Sequence, residues 1–429
     1  MESYVNVYLK KKFPKIIKAK GLYLYTSKDR ILDTTSGSNH FCTLGWGHKD
    51  INKAIKTQLN RYSHIDIKTW HDENIDKLAN LVLSKKKHKL NRVFLSGNSG
   101  AEACESAMRM SYQYFFNKGK KNKNIFISRK QSYHGCSALS LSVGDRPNYE
   151  FLKPTLPQNT YKVNQHHYNY EKLRNEDEEQ YAKRSADDLE KKILKIGPEK
   201  VCGFVGETIM GGLQGDVPPA KNYWKYVRKV CDKYKIHLII DEVYCGMGVT
   251  GKIYCIDYDN ISPDFIFVGK TLGAGYAPLS LVVTSKDIVE ILKKKDGRIS
   301  YSTTHQGYSL GVAAALAVQK IMHKEETLKH IIKISKFIEK SLISELSKNP
   351  MFVNVRGRGL RMSMEYDCKH KNEFGKELTQ NMLSKHNILI DAKWHRVCIT
   401  PGVIISKKET DLFLENLINE FNLLSKKFC

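Results

Sequence analysis

Six short apolar runs in the middle of the chain constrain its fold more than any other feature. They are Arg92–Ser96 (RVFLS), Asn124–Ser128 (NIFIS), Val201–Gly206 (VCGFVG), Ile236–Asp241 (IHLIID), Asp264–Gly269 (DFIFVG) and Ser280–Thr284 (SLVVT). Near-continuous apolar runs of this length, rich in β-branched and aromatic residues, fit strands buried on both faces. Amphipathic stretches such as Ala101–Phe116 and Lys221–Tyr234 lie between several of them. This alternation predicts an α/β fold with a mostly parallel sheet covered by helices on both sides. Its crossovers would be right-handed, and ligands would gather beyond the carboxyl ends of the strands.

The pattern changes after a small-residue helix around Gly311–Ile321. A long helix near Glu325–Ser347 leads to short strands at Phe352–Val355 and Gly359–Glu365, then to further helix and strand. With 429 residues the chain can build more than one core. The expected division is residues 1–60 as an N-terminal segment packing with the small domain, 61–324 as the large domain, and 325–429 as a C-terminal α+β domain. The polar stretch Gln158–Lys200 reads as surface helix and loop.

Charge and cysteine usage exclude several classes. Lys+Arg 70 against Asp+Glu 45 gives a net charge of +25, mostly lysine spread along the whole chain. The densest runs, such as Lys85-Lys86-Lys87 and Lys293-Lys294-Lys295, fall at expected helix ends and loops. This is a solvated basic surface that attracts small anions, rather than a nucleic-acid module. The ten cysteines form no CxxC pair, which fits free thiols in a reducing compartment. His166-His167 lacks a third ligand at metal spacing, and no apolar run is long enough to span a bilayer. The expectation is a cytoplasmic protein with no metal, nucleic-acid or membrane partner.

Three loops at strand ends carry the chemistry. In Ser96-Gly97-Asn98-Ser99-Gly100-Ala101-Glu102, glycines precede a helix start whose free N–H groups attract an anion. The P-loop lysine is missing, which disfavours a nucleoside triphosphate. Asp241-Glu242 ends another strand, where a carboxylate either pairs with a ligand cation or caps the next turn. Lys270 follows DFIFVG, and partial desolvation there would lower its pKa and make it an amine nucleophile. An anion cradle, a carboxylate and a buried lysine together suit a phosphorylated aldehyde such as pyridoxal phosphate.

These segments resemble a known family. LIIDEVYCGMGVTGK followed by SPDFIFVGKTLGAGYAPL is similar to the signature of class III pyridoxal-phosphate aminotransferases. Ordered support comes from GLYLYTSKDRILDTTSG, LGWGHKDINKAI, LSGNSGAEACESAMRM, SRKQSYHG, GETIMGG, GVAAALAVQKI and VRGRGL. The resemblance implies the fold type I transferase: a large domain with a mostly parallel seven-stranded sheet, and a small domain drawn from both termini. It also implies a homodimer or a dimer of dimers with active sites at the subunit interface. Lys270 would be the Schiff-base lysine and proton shuttle, and Asp241 the partner of the pyridine nitrogen. Val243 and Tyr133 would cover the two ring faces, with His134 beside Tyr133 in the cofactor site. Ser99, Gly100 and Ala101 would meet the phosphate, and Thr304 would reach the neighbouring subunit's phosphate. Glu207 matches the glutamate of a Glu-Pro motif on the substrate side, and Trp46 and Arg396 are further expected substrate contacts.

Departures from the pattern are Thr208 in place of proline, Val249 in place of arginine, and Tyr244 in place of a glutamine beside the cofactor's phenolic oxygen. Cys398 stands where many members place a carboxylate-binding arginine, and Arg396, two residues earlier on the same strand face, is the expected substitute. The stretch Ser38–Thr43 has one residue more than the family pattern, which leaves Asn39 and His40 without a fixed counterpart. The implied reaction moves an amino group from an amine or amino acid, including ω-amino donors, to a 2-oxo acid such as pyruvate, glyoxylate or 2-oxoglutarate. Racemase, decarboxylase and aminomutase activities share every cofactor residue and stay open, as does a distant non-catalytic basic binding protein.

Overall fold

The computed structural model describes residues 5–9 and 13–429. Its largest sheet has seven strands: β1 Arg92–Gly97, β2 Ile125–Arg129, β3 Thr160–Val163, β4 Val201–Glu207, β5 His237–Asp241, β6 Phe265–Val268 and β7 Ser280–Thr284. Their spatial order is β1-β7-β6-β5-β4-β2-β3. All neighbouring pairs are parallel except those of β7, which runs antiparallel to β1 and β6. The mostly parallel α/β sheet expected from the apolar runs is therefore present, with the seven strands that the family resemblance implies.

Every residue of β4, β5, β6 and β7 is buried, which is why these strands read as unbroken apolar runs. Their side chains divide by the two-residue period of a strand. Val205, Ile239, Phe265 and Phe267 pack with Ala103, Ala107, Met108 and Phe115 of helix α1, Gly100–Asn117. Phe204, Leu238, Ile240, Ile266 and Val268 face Leu189 of α2, Glu178–Ile196, and Trp224 and Val227 of α3, Tyr223–Tyr234. Burying each such side chain contributes about 1.5–3 kcal/mol, so both layers of helices are held by the same short strands.

The edge strand β3 is the element the sequence reading missed, since it lies inside the stretch taken as surface helix and loop. Thr160, Tyr161 and Lys162 are not buried and Val163 is, so the segment carries too little apolar signal to stand out. Its partner β2 supplies the missing context through parallel pairing.

The N-terminal strand Arg30–Asp33 pairs in parallel with Ile388–Leu389. A second apolar cluster joins Leu22, Leu32, Leu44 and Ile51 to Ile338, Met364, Phe374, Leu417 and Phe421, and takes in Val249, Ala274, Ala314, Val318 and Met322 from the middle of the chain. The C-terminal sheet contains β8 Phe352–Arg358, β9 Arg361–Tyr366, β10 Asp391–Lys393 and β11 Arg396–Ile399, in the antiparallel order β8-β9-β11-β10. Its arginines reach across to the loop that follows β4. No helix among the described residues is long and apolar enough to cross a membrane.

Candidate active site

The carboxyl ends of β1, β4, β5 and β6 open onto one cavity of about 510 Å³. At the end of β1 the chain turns directly into α1. Ser99 caps the helix: its Oγ accepts from Glu102 N (3.3 Å), and Glu102 Oε2 accepts from Asn98 N and Ser99 N (both 2.8 Å). This reciprocal cap satisfies part of the helix start. The N–H groups of Gly100 and Ala101, in the first turn, have no intrahelical acceptor and line the cavity. Gly100 is sterically required, since a Cβ there would lie 2.7 Å from Val243 Cγ1.

Asp241 ends β5 and lines the cavity at 5% exposure. Its Oδ2 pairs with His134 Nδ1 at 2.8 Å, and its Oδ1 accepts from Val243 N at 2.9 Å. A carboxylate fixed at both oxygens and still facing a cavity is prepared for a cationic partner. The neighbouring Glu242 turns away. It is fully buried and accepts from Cys255 N (2.8 Å), Ile256 N (2.6 Å) and Thr208 Oγ1 (3.0 Å). The sequence left Asp241 either as a ligand's partner or as a cap; the geometry gives Asp241 to the cavity and Glu242 to loop structure.

Glu207 ends β4 directly across from Asp241 in register. Its Oε1 accepts from Tyr133 N at 3.3 Å, and Arg129 lies 3.6 Å from Oε2. Burial raises the Glu207 pKa above the usual carboxylate value, with His134 and Arg129 working against that shift. Tyr133 and His134 both line the cavity.

Lys270 follows β6 in a left-handed backbone conformation, φ 41°, the kind of strain that collects at functional sites. Burial, and secondarily the cation of Arg361, lowers its pKa from 10.5 to about 8. Its Nζ lies 5.4 Å from the centre of the Tyr244 ring, and among the described residues no carboxylate forms an ion pair with it. Tyr244 is held from behind: its hydroxyl donates to Asp216 Oδ1 at 2.6 Å, and Ser363 Oγ donates to Asp216 Oδ2 at 2.6 Å. Val243 lines the cavity beside it.

Three expected residues lie elsewhere. Thr304 is exposed, outside the cavity of its own chain, and its carbonyl oxygen is 3.2 Å from His64 Nε2. Trp46 bridges to Gly21 through two 2.9 Å backbone hydrogen bonds and does not line the cavity. Arg396 corrects the expectation of a free substrate-binding arginine. It is fully buried, and its guanidinium donates to Gly212 O (2.6 Å) and Leu213 O (3.2 Å) because the loop after β4 passes directly over it. The sequence reading had no role for His40 or Phe41, which line the cavity, or for Arg361, which lies behind Tyr244. Arg361 stands directly after the quoted VRGRGL, but nothing along the chain tells where its side chain points. No group of three or more His, Cys, Asp or Glu residues suited to a metal occurs among the described residues.

Comparison with known proteins places the chain in a family. The profile of the family described as aminotransferase class-III matches residues 5–421. An uncharacterized aminotransferase, YodT, of Bacillus subtilis is 33% identical over 98% of this chain and 97% of its own. An uncharacterized aminotransferase of Schizosaccharomyces pombe is 32% identical over 94% of this chain and 91% of its own. Gamma aminobutyrate transaminase 2 of Solanum lycopersicum is 31% identical over 92% and 88%. Among solved structures, the omega transaminase from Pseudomonas jessenii in complex with PMP superposes with a TM-score of 0.89 at 26% identity, covering 96% of this chain and 93% of that one.

Proposed function

The chain belongs to the class III aminotransferases, pyridoxal-phosphate enzymes, and from that premise we propose that it transfers the amino group of an amine or amino acid, ω-amino donors included, to a 2-oxo acid. The observation that carries the reading is the convergence of Lys270, Asp241 and the start of α1 on one cavity. These residues fit the cofactor by their chemistry: an amine with no ionic partner among the described residues, a carboxylate anchored by His134, and the N–H groups at the start of a helix. When bound, pyridoxal phosphate supplies an aldehyde that condenses with amines and a ring that withdraws electrons from the bond being broken.

Gly100 and Ala101 would bind the phosphate through their N–H groups, with Ser99 at the same turn. Asp241 would hold a proton on the ring nitrogen, and His134 fixes the carboxylate for that task. Val243 and Tyr133 would enclose the ring, and Glu207 would border the substrate side. Lys270 Nζ, ionising near pH 8, would take a proton from the donor carbon and return it on the way to the new amine. The exposure of Thr304 supports a homodimer or dimer of dimers in which this residue serves the neighbouring subunit's phosphate. The tomato relative's name supports ω-amino acids among the donors.

A panel of 15N-labelled amines and amino acids tests the reading. Label should pass to the amino acid formed from pyruvate, glyoxylate or 2-oxoglutarate, and Lys270→Ala should abolish the transfer. Label that stays with every donor would contradict it.

A further inference from the structure

Resting on the aminotransferase reading of this cavity, we propose that His40 is the residue that holds the carboxylate of the oxo-acid acceptor, in place of an arginine. Arg396 donates to Gly212 O and Leu213 O, and Arg356 donates to Gly215 O (2.7 Å) and Gln214 O (3.1 Å). Arg361 donates to Tyr244 O (2.9 Å), Leu360 O (3.1 Å) and His40 O (3.1 Å). Each guanidinium donates to main-chain carbonyls, Arg356 also to Glu365 Oε2 and Asn354 Oδ1, while Arg396 Nε is buried without a partner; none of the three lines the cavity. Of the other polar side chains that line it, Lys270 and Asp241 are assigned to the cofactor, His134 to Asp241 and the Tyr244 hydroxyl to Asp216, Asn98 and Ser99 belong to the turn assigned to the phosphate, Tyr133 is assigned to the ring face, the Cys136 thiol is a weak donor, and the Glu207 carboxylate repels a second carboxylate.

That leaves His40, which sits in the cavity wall on a strained stretch of backbone. The stretch Ser36–His40 forms a tight turn with left-handed backbone at Ser36 (48°), Ser38 (64°) and His40 (59°). Non-glycine residues in such conformations each cost about 1–3 kcal/mol, and the cost persists only where the surroundings enforce it. Asp33 enforces it by accepting from Thr35 N (2.7 Å) and Gly37 N (2.6 Å), and Thr35 Oγ1 accepts from Ser38 N (2.8 Å). The result sets the His40 ring edge-on to Tyr244, 5.3 Å between centres, on the same ring that Lys270 Nζ approaches.

The His40 Nδ1 lies 2.8 Å from Thr400 Oγ1. With the Thr400 hydroxyl as donor to Nδ1, the proton sits on Nε2, which leaves a free N–H donor on a residue that lines the cavity. Burial, with Arg361 and Lys270 nearby, keeps the imidazole well below its usual ionisation. A neutral N–H donor binds a carboxylate and leaves no buried cation when a donor without a carboxylate takes its turn in the same cavity.

The test compares pyruvate with acetaldehyde, which lacks only the carboxylate, in His40→Ala, His40→Gln and Thr400→Val holoenzymes. His40→Ala should lower kcat/KM for pyruvate by about tenfold to a hundredfold, the span for losing one hydrogen bond to a charged group, mainly through KM. Acetaldehyde should change by less than about threefold, and cofactor affinity, read from its absorbance, should be unchanged. His40→Gln, which keeps an N–H donor, should recover most of the pyruvate preference, and Thr400→Val should weaken it several-fold. Should His40→Ala not fold, the contrast between His40→Gln and Thr400→Val decides. Parallel loss for both acceptors, or an unchanged pyruvate preference, overturns the proposal. No transfer to pyruvate, glyoxylate or 2-oxoglutarate by the unsubstituted enzyme overturns the aminotransferase reading as well; where glyoxylate is the acceptor used, formaldehyde replaces acetaldehyde as its carboxylate-free partner.

Discussion

Lys270 enters the folded protein as an amine that the unfolded chain would hold as an ammonium. Between about pH 8 and the ordinary lysine value of 10.5 the unfolded chain binds more protons than the native one, so stability rises with pH across that window. The destabilisation is fully present below it. Lys123 and Lys162, lowered by burial to about 8, act in the same window, so the comparison must be with a single variant. Cofactor-free Lys270→Met should be more stable than the parent below pH 8, with the gap closing toward pH 10.5 in urea unfolding; a gap independent of pH would contradict the burial account. Lys270 and Asp241 were legible in the sequence because each ends an apolar run, and strand ends are where an α/β sheet presents its ligands. His40, Asp216 and Arg361 were not, because their roles arise from contacts between segments: Arg361 meets His40 across 321 positions of sequence.

At the level of elements, the turn from β1 into α1 depends on a close approach between two loops. Gly100→Ala would put a methyl group 2.7 Å from Val243 Cγ1, and the overpacking should cost about 1–3 kcal/mol and at least tenfold in cofactor affinity. Gly212→Ala is the control, since a Cβ there meets nothing within 4 Å and stability should change little. Calorimetry and an absorbance titration check both. Arg396 is a clamp on the loop after β4, so Arg396→Leu should lower the melting temperature while the preference for pyruvate over acetaldehyde survives. The central strands were readable because burial on both faces leaves an unbroken apolar run. The edge strand β3 was hidden because only Val163 of its four residues is buried, and pairing with β2 rather than composition makes it a strand.

For the whole molecule, we propose that two copies complete each other's sites and that residues 1–60 and 325–429 act together as a unit against 61–324. The apolar cluster shared by Leu32, Ile51, Phe374 and Phe421 supports that grouping, and Val249, Ala274 and Ala314 in the same cluster mark where the unit packs on residues 61–324. Mixing Lys270→Ala chains with Thr304→Ala chains, then dissociating and reassociating them, should produce hybrids with one intact site that binds cofactor as tightly as the parent. Hybrids no tighter than Thr304→Ala alone would place that threonine elsewhere. The central claim is that this cavity carries out amino transfer in two separable halves, and the absorbance of the purified protein loaded with pyridoxal phosphate tests it most directly. Adding an amino donor alone should convert the bound cofactor to its pyridoxamine form, and adding a 2-oxo acid to the desalted product should restore the original spectrum. A spectrum that no donor converts, or that no oxo acid restores, would contradict the account.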